Sequence, residues 1–82
     1  MTTSRQHLDD LREIVAEVFE LEPDEVSDTA DFVAEYDADS LRAIEILARV
    51  EKRYQVEIPQ AELASMTNLL AVHAVLGRYA GW

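Results

Sequence analysis

The sequence predicts an all-α fold: a small four-helix bundle with three longer helices, a short third helix and a long loop between the first two helices. Apolar residues recur at steps of three and four in three segments, which is the spacing of one helix face. No segment alternates apolar and polar residues for long enough to indicate a strand. Because 82 residues is the size of one small domain, we expect residues 1–82 to form a single unit.

The first helix is expected over about residues 4–21. Thr3 and Gln6 have the spacing of a capping box, and Pro23 should end the helix. Its apolar stripe consists of Leu8, Leu11, Val15 and Val18, flanked by Ile14, Phe19 and Leu21.

Residues 22–39 show no sustained period and form the predicted loop. The stretch 23–39 carries seven acidic residues and no basic one. A connection this long is unusual in a compact domain and is more often functional than filler. We expect Val26, Phe32 and Val33 to pin the loop onto the core.

The second helix is expected over about residues 39–54, beginning at Asp39 or Ser40. Aspartate is a favourable N-cap, and its charge suits the positive end of the helix dipole. The predicted core stripe is Leu41, Ile44, Leu47, Val50 and Tyr54.

The remaining helices are expected over about residues 59–65 and 68–79. Pro59 suits the first turn of the short one, Thr67 or Asn68 should cap the last, and Gly77 could end it early. We expect Trp82 to belong to a C-terminal tail and not to the core. The inner face of the last helix is predicted to be Leu69, Val72, Leu76 and Tyr79.

Composition excludes several classes of protein. The net charge of −10 opposes binding to nucleic acid, and the absence of cysteine excludes disulfides and thiolate metal sites. No signal peptide is visible, and the longest apolar stretch, residues 69–76, is too short to span a bilayer. We therefore expect a cytoplasmic monomer that binds no membrane.

Ser40, at the junction of the acidic loop and the second helix, is the candidate functional residue. Residues 38–42 do not form a Gly-x-Ser-x-Gly elbow, and the two histidines, His7 and His73, lie on the first and last helices. Since a serine nucleophile needs an adjacent base, we predict no enzymatic activity.

A metal site is also not predicted. Asp37 and Asp39 begin like a calcium loop, but Arg42 replaces its glycine and Ala48 its bidentate glutamate. Two interpretations of Ser40 remain open on the residues alone. It is a site where a phosphate-linked group is attached, favoured by the helix N-terminus, or it is only a helix cap, whose loss in Ser40→Ala would cost about 1 kcal/mol.

A wider set of residues resembles the acyl carrier protein family, in register from Leu8 to Leu76. The set comprises Asp39-Ser40-Leu41, Glu45, Tyr54, Glu57-Ile58-Pro59 and Met66-Thr67. The resemblance implies that Ser40 receives 4'-phosphopantetheine from coenzyme A through a phosphopantetheinyl transferase, and that the arm carries an acyl group as a thioester.

The resemblance also implies which residues meet partner enzymes such as a ketosynthase or an acyltransferase. Asp39 and Leu41 would flank the attached arm. The partner-recognition residues would be Asp37, Asp39, Leu41, Arg42, Ile44, Glu45, Ala48 and Arg49.

The kind of carrier is suggested by departures from the family pattern. Peptidyl carriers usually have two glycines where this chain has Asp37-Ala38, which favours an acyl cargo. Arg42, Arg49, Lys52 and Arg53 make the second helix net basic, which opposes docking to fatty-acid synthase enzymes and favours polyketide biosynthesis. The alternatives are a carrier of fatty-acid or aminoacyl units and an unmodified protein-interaction domain.

Tyr36-Asp37 stands where the family usually has leucine and glycine. Glycine permits a positive φ at that turn, and aspartate tolerates it at some cost. We therefore predict that the loop before Ser40 is stiffer and more acidic than usual.

Overall fold

The computed structural model describes residues 2–82, with side chains from Gln6 onward. Within that range the chain is helical and contains no strand, which confirms the all-α class. The helices are α1 (Thr2–Phe19), α2 (Phe32–Tyr36), α3 (Ser40–Tyr54) and α4 (Leu69–Ala80), with 3-10 segments at Pro23–Glu25 and Gln60–Ser65.

Helix α1 begins and ends two residues earlier than predicted. Its end is set by Glu20, which takes the left-handed conformation at φ 59°, while the amide of Leu21 bonds back to the carbonyl of Ala16 at 2.8 Å. Such a reversal stops a helix locally, so Pro23 is not the stop. The predicted Thr3 cap concerns a side chain outside the described ones.

The core is formed by one face each of α1, α3 and α4 together with residues of the connections. Phe32 and Val26 anchor the loop to it, as predicted, whereas Val33 is 66% exposed and the prediction for it is wrong. Burial of the apolar side chains of the core makes the main favourable contribution to the stability of such a small domain. The buried residues are Leu11, Ile14, Val15, Ala16, Val18, Val26, Phe32, Ile46, Leu47, Val50, Ile58, Met66, Leu69, Val72, Val75 and Leu76.

Helix α3 packs on a face that shares only part of the predicted stripe: Leu47, Val50 and Tyr54 contribute to the core as predicted. Ile46, Leu47 and Val50 are buried, whereas Leu41 is 73% and Ile44 is 38% exposed. The predicted stripe advanced by three residues at a time. Since a helix turns about 100° per residue, nine residues from Leu41 to Val50 end on the opposite side.

Helix α4 begins where Asn68 caps it, accepting a hydrogen bond from the amide of Ala71 at 2.8 Å. It continues through Gly77 to Ala80, so the expected early stop is wrong. Val75 completes the buried face in place of Tyr79, which is 38% exposed. Asn68 is thus the cap among the two candidates.

The loop between α1 and α3 is held at several points rather than free. It contains α2, which the sequence did not reveal, capped by the Asp31 carboxylate on the amides of Val33 and Ala34. The amide of Phe32 bonds to the carbonyl of Thr67 at 2.9 Å, and Arg12 forms an ion pair with Asp28 at 2.5 Å. These contacts fix the loop to α1 and to the start of α4.

Within residues 2–82 there is no helix long and apolar enough to cross a membrane.

Candidate functional site

Ser40 is the first residue of α3, and its side chain is exposed. The N-cap is Asp39, in an extended conformation, whose carboxylate accepts a hydrogen bond from the amide of Arg42 at 2.9 Å. Among the described side chains, none forms a hydrogen bond with the Ser40 hydroxyl. The hydroxyl is therefore free for chemistry, and the capping role belongs to its neighbour.

The backbone before Ser40 makes a sharp turn at Asp37. This residue ends α2 in the left-handed conformation, at φ 60° and ψ 34°, and the amide of Ala38 bonds to the carbonyl of Phe32 at 3.1 Å. Aspartate tolerates this conformation better than most residues with a side chain. The positive φ expected at this position is confirmed, and the turn delivers Ser40 to the surface.

An open groove of about 510 Å³ runs beside Ser40, between α2, α3 and the Gln60–Ser65 segment. The wall of the groove is mainly apolar, and Ser40 lines it at the start of α3. The residues that line the groove include Phe32, Ala38, Ser40, Ile46, Leu63 and Met66.

The outward face of α3 carries four of the residues predicted for partner recognition. Leu41, Ile44, Glu45 and Ala48 are all exposed, at spacings that place them along one side of the helix. Val33, on α2, adds a further exposed apolar side chain at the groove. The interpretation of Leu41 and Ile44 as core residues is therefore wrong.

The arginines of α3 are engaged with α1. Arg42 donates a hydrogen bond to the carbonyl oxygen of Val18. Arg49 pairs with Glu17 and with Glu45, each at 3.0 Å. This gives Arg42 a structural role, and its role in partner recognition stays a prediction.

Arg53 is also paired, with Asp10 of α1 at 3.2 Å. The basic excess that the sequence assigns to this helix is thus largely balanced by carboxylates of α1 and of α3 itself. A basic partner enzyme of fatty-acid synthesis would therefore meet less repulsion from α3 than the sequence predicts.

Neither histidine lies near Ser40. His7 and His73 both contact Trp82, at the end of the bundle where α3 finishes. The start and finish of α3 are about 20 Å apart for a helix of this length. The carboxylate nearest in sequence, Asp39, is used for capping. Among the described residues, no group of three metal-ligating side chains is arranged to hold an ion.

Comparisons with known proteins match this arrangement. Residues 9–76 match the family model described as the phosphopantetheine attachment site. Polyketide-8 synthase acyl carrier protein 1 of Streptomyces avermitilis is 48% identical over 71 residues, which cover 87% of this chain and 84% of that protein. The chain belongs to the acyl carrier protein family. Its prosthetic group is 4'-phosphopantetheine, and its function is to carry acyl intermediates.

Other relatives extend the same result. The meromycolate extension acyl carrier protein of Mycolicibacterium smegmatis is 39% identical, over 82% of this chain and 68% of that protein. A chain in the solved structure "The ishigamide ketosynthase/chain length factor" superposes with a TM-score of 0.76 and 36% identity, covering 94% of this chain and 97% of that one.

The site of this carrier fits its prosthetic group. A phosphodiester on the first residue of a helix faces backbone amides and the positive end of the helix dipole, both of which favour a phosphate. The exposed Ser40 hydroxyl meets that requirement, and the neighbouring groove gives a flexible arm an apolar surface. The sequence pointed to Ser40 as a candidate, but it did not reveal the groove, because Leu63 and Met66 come from a distant segment.

Proposed function

We propose that Ser40 is the residue that bears 4'-phosphopantetheine, and that the arm holds polyketide intermediates for partner enzymes. The observation that carries the proposal is the exposed, unbonded hydroxyl at the start of α3, inside the matched residues 9–76. Two other exposed serines lie within that range: Ser27 is in the loop after α1, and Ser65 is the last residue of a 3-10 segment. Neither begins a long helix.

Attachment needs little from this chain. The Ser40 oxygen forms a bond to the pantetheine-bearing phosphate of coenzyme A, the pyrophosphate bond breaks and the adenosine bisphosphate half leaves. A transferase supplies the base for the hydroxyl proton. Since no histidine lies nearby and Asp39 is engaged as a cap, the carrier itself catalyses no step.

The polyketide assignment is supported by identity to the relatives. The two polyketide-8 synthase carriers of Streptomyces avermitilis are 48% and 45% identical to this chain. Two relatives called only acyl carrier protein, from Brachyspira hyodysenteriae and Sulfurovum sp., are 33% and 41% identical. Polyketide synthesis is therefore favoured over primary fatty-acid synthesis for this carrier.

Partner enzymes would meet the outward face of α3 and the adjoining loop. Leu41, Ile44 and Val33 provide an apolar centre, and the acids of residues 35–39 surround it. Such a face complements a ketosynthase, acyltransferase or transferase surface with an apolar contact and a basic rim.

The attachment is tested by intact mass after incubation with coenzyme A, magnesium and a promiscuous phosphopantetheinyl transferase. We expect the carrier to gain one phosphopantetheinyl group. Ser40→Ala should gain none, whereas the matched Ser65→Ala should load like the parent. Failure of the folded parent protein to load with any transferase would favour the unmodified interaction domain instead.

The docking face is tested by the rate of the same reaction. Leu41→Ala should lower kcat/KM of the transferase for the carrier, because an exposed apolar contact at the interface is lost. Leu70→Ala is the matched control, since Leu70 is 43% exposed but belongs to α4 and is not among the residues that line the groove. Equal rates for the two variants would remove Leu41 from the interface.

A further inference from the structure

Trp82 lies in an open niche at the end of the bundle remote from Ser40, where the residue is 45% exposed. Its ring stacks on His7 of α1, with centroids 3.5 Å apart and planes 12° apart. The ring also meets the edge of Tyr54 of α3 at 5.6 Å and lies 5.3 Å from His73 of α4. The expected tail is therefore a segment that bridges three helices.

The backbone at the end of α4 is shaped to place this ring. Gly81 takes φ 86°, a conformation that favours glycine, and the amides of Gly81 and Trp82 both bond to the carbonyl of Gly77 at 3.0 and 2.9 Å. A Cβ at Gly77 would lie 3.7 Å from the indole, which is an ordinary van der Waals contact, so the ring lies directly against this turn of α4. We call Gly81–Trp82 the strap.

His73 is the group in the niche that is sensitive to protons. Its Nε2 atom is buried and has no hydrogen-bond partner among the described residues. Burial, and secondarily the charge of His7, lower the pKa of His73 from its usual 6.5. Protonation of a buried nitrogen that has no hydrogen-bond partner is unfavourable. His73 therefore binds a proton more favourably in a form of the protein in which Nε2 reaches water.

The charged groups around the niche do not stabilise a proton on His73. From α1 it is faced by His7 and by Asp10, which is already engaged with the Tyr54 hydroxyl at 3.3 Å and with Arg53 at 3.2 Å, both of α3. A proton on His73 would therefore meet another imidazole and an already paired carboxylate.

We propose that the strap is proton-linked: it is seated while His73 is neutral and is released from the niche when His73 takes up a proton. The physical basis is linkage, because a proton that binds the released form better shifts the population toward that form. Between the His73 pKa values of the two forms, one proton changes the ratio of released to seated strap by about tenfold per pH unit. The proposal is independent of carrier function.

Trp82 fluorescence tests this directly, because the chain contains one tryptophan. We would titrate the protein from mildly alkaline to acidic pH and follow the emission wavelength and quenching by acrylamide, with helix content monitored by circular dichroism. The expected result is a shift to longer wavelength and stronger quenching, with a midpoint below 6.5 and unchanged helix content.

Two variants separate His73 from other causes. His73→Phe keeps a ring in place and should abolish the pH response, leaving the strap seated. His7→Phe keeps the stacked ring and should move the midpoint upward, because His7 no longer opposes the charge on His73. The proposal is overturned if the change in Trp82 fluorescence persists in His73→Phe, or if the emission wavelength and quenching of the parent protein do not change with pH. It is also overturned if helix content is lost in the same transition.

Discussion

The guanidinium of Arg42 donates a hydrogen bond to the main-chain carbonyl oxygen of Val18, and so ties the start of α3 to the last turn of α1. The carbonyl groups in the last turn of a helix lack intrahelical partners, and a cation there also suits the helix dipole. Because Arg42 lies two residues after Ser40, this bond helps to fix where the proposed attachment site lies on the bundle.

Arg42→Gln should therefore lower the free energy of unfolding by about 1–2 kcal/mol, since a partly buried, charge-assisted hydrogen bond is lost. Arg49→Gln is the matched control: its ion pairs are exposed, and its loss should cost less than about 1 kcal/mol. Urea denaturation measures both. A stable Arg42→Gln protein that loads slowly would instead assign Arg42 to partner recognition.

The cap of α3 gives a second comparison. Asp39→Ala should cost about 1 kcal/mol, because the amide of Arg42 loses its acceptor. Ser40→Ala should cost clearly less, because the N-cap is Asp39 and not Ser40, which was the alternative left open by the sequence. Denaturation of the two single variants decides the matter, and an equal loss of stability in both would return the capping role to Ser40.

The sequence predicted those parts of the fold that depend on local spacing and missed those that depend on contacts between segments. Long apolar stripes correctly identified the buried faces around Val15 and Val72. Helix α2 was not predicted, because its five residues, Phe32–Tyr36, are too few to display a helical period. Trp82 was misjudged because its niche is assembled from three helices that are distant in sequence.

The site shows the same division. Ser40 and Asp39 could be placed at a helix start because capping is a property of adjacent residues. The pairing of Arg49 with Glu17 could not be foreseen, because it depends on how α1 and α3 pack. Counting charges along one helix therefore overstated the basic character of its surface.

The left-handed conformation of Asp37 predicts that substitution by glycine stabilises the folded protein. Asp37→Gly should raise the free energy of unfolding by up to about 1 kcal/mol, because the strain of φ 60° is relieved. If the stiff turn also limits access of the transferase to Ser40, loading should become faster. Urea denaturation and a timed loading assay provide the two measurements.

Gln55→Gly is the matched control for that experiment, because Gln55 has φ 56° at the far end of α3. It should gain similar stability without any change in loading rate. If Asp37→Gly is neither more stable nor loaded faster, the loop is not held stiff by this residue.

The acids of residues 23–39 predict a response to salt. Asp28 is paired with Arg12, but most of the other acids are exposed side chains that repel one another across a short segment. The screening length falls from about 30 Å at low salt to about 10 Å at moderate salt, which weakens that repulsion. Tm should therefore rise over this range, and Glu35→Gln should show a smaller rise; a flat Tm would show that these charges do not strain the fold.

Tyr54 predicts a loss of stability at high pH. Burial, then the charge of Asp10 and the hydrogen bond to it, raise the pKa of Tyr54 from 10.0 to about 12. Because the pKa is higher in the folded state, the contribution of the neutral phenol is complete below 10.0 and is lost as pH rises toward about 12. Tyr54→Phe should lack this part of the alkaline loss in urea denaturation.

Phenolate absorbance gives an independent check, since the chain has three tyrosines. The component that appears near pH 12 should vanish in Tyr54→Phe and move to lower pH in Asp10→Asn, where the neighbouring negative charge is gone. If Asp10→Asn leaves that component unmoved, the carboxylate is not what holds the proton on Tyr54, and burial alone must account for the shift.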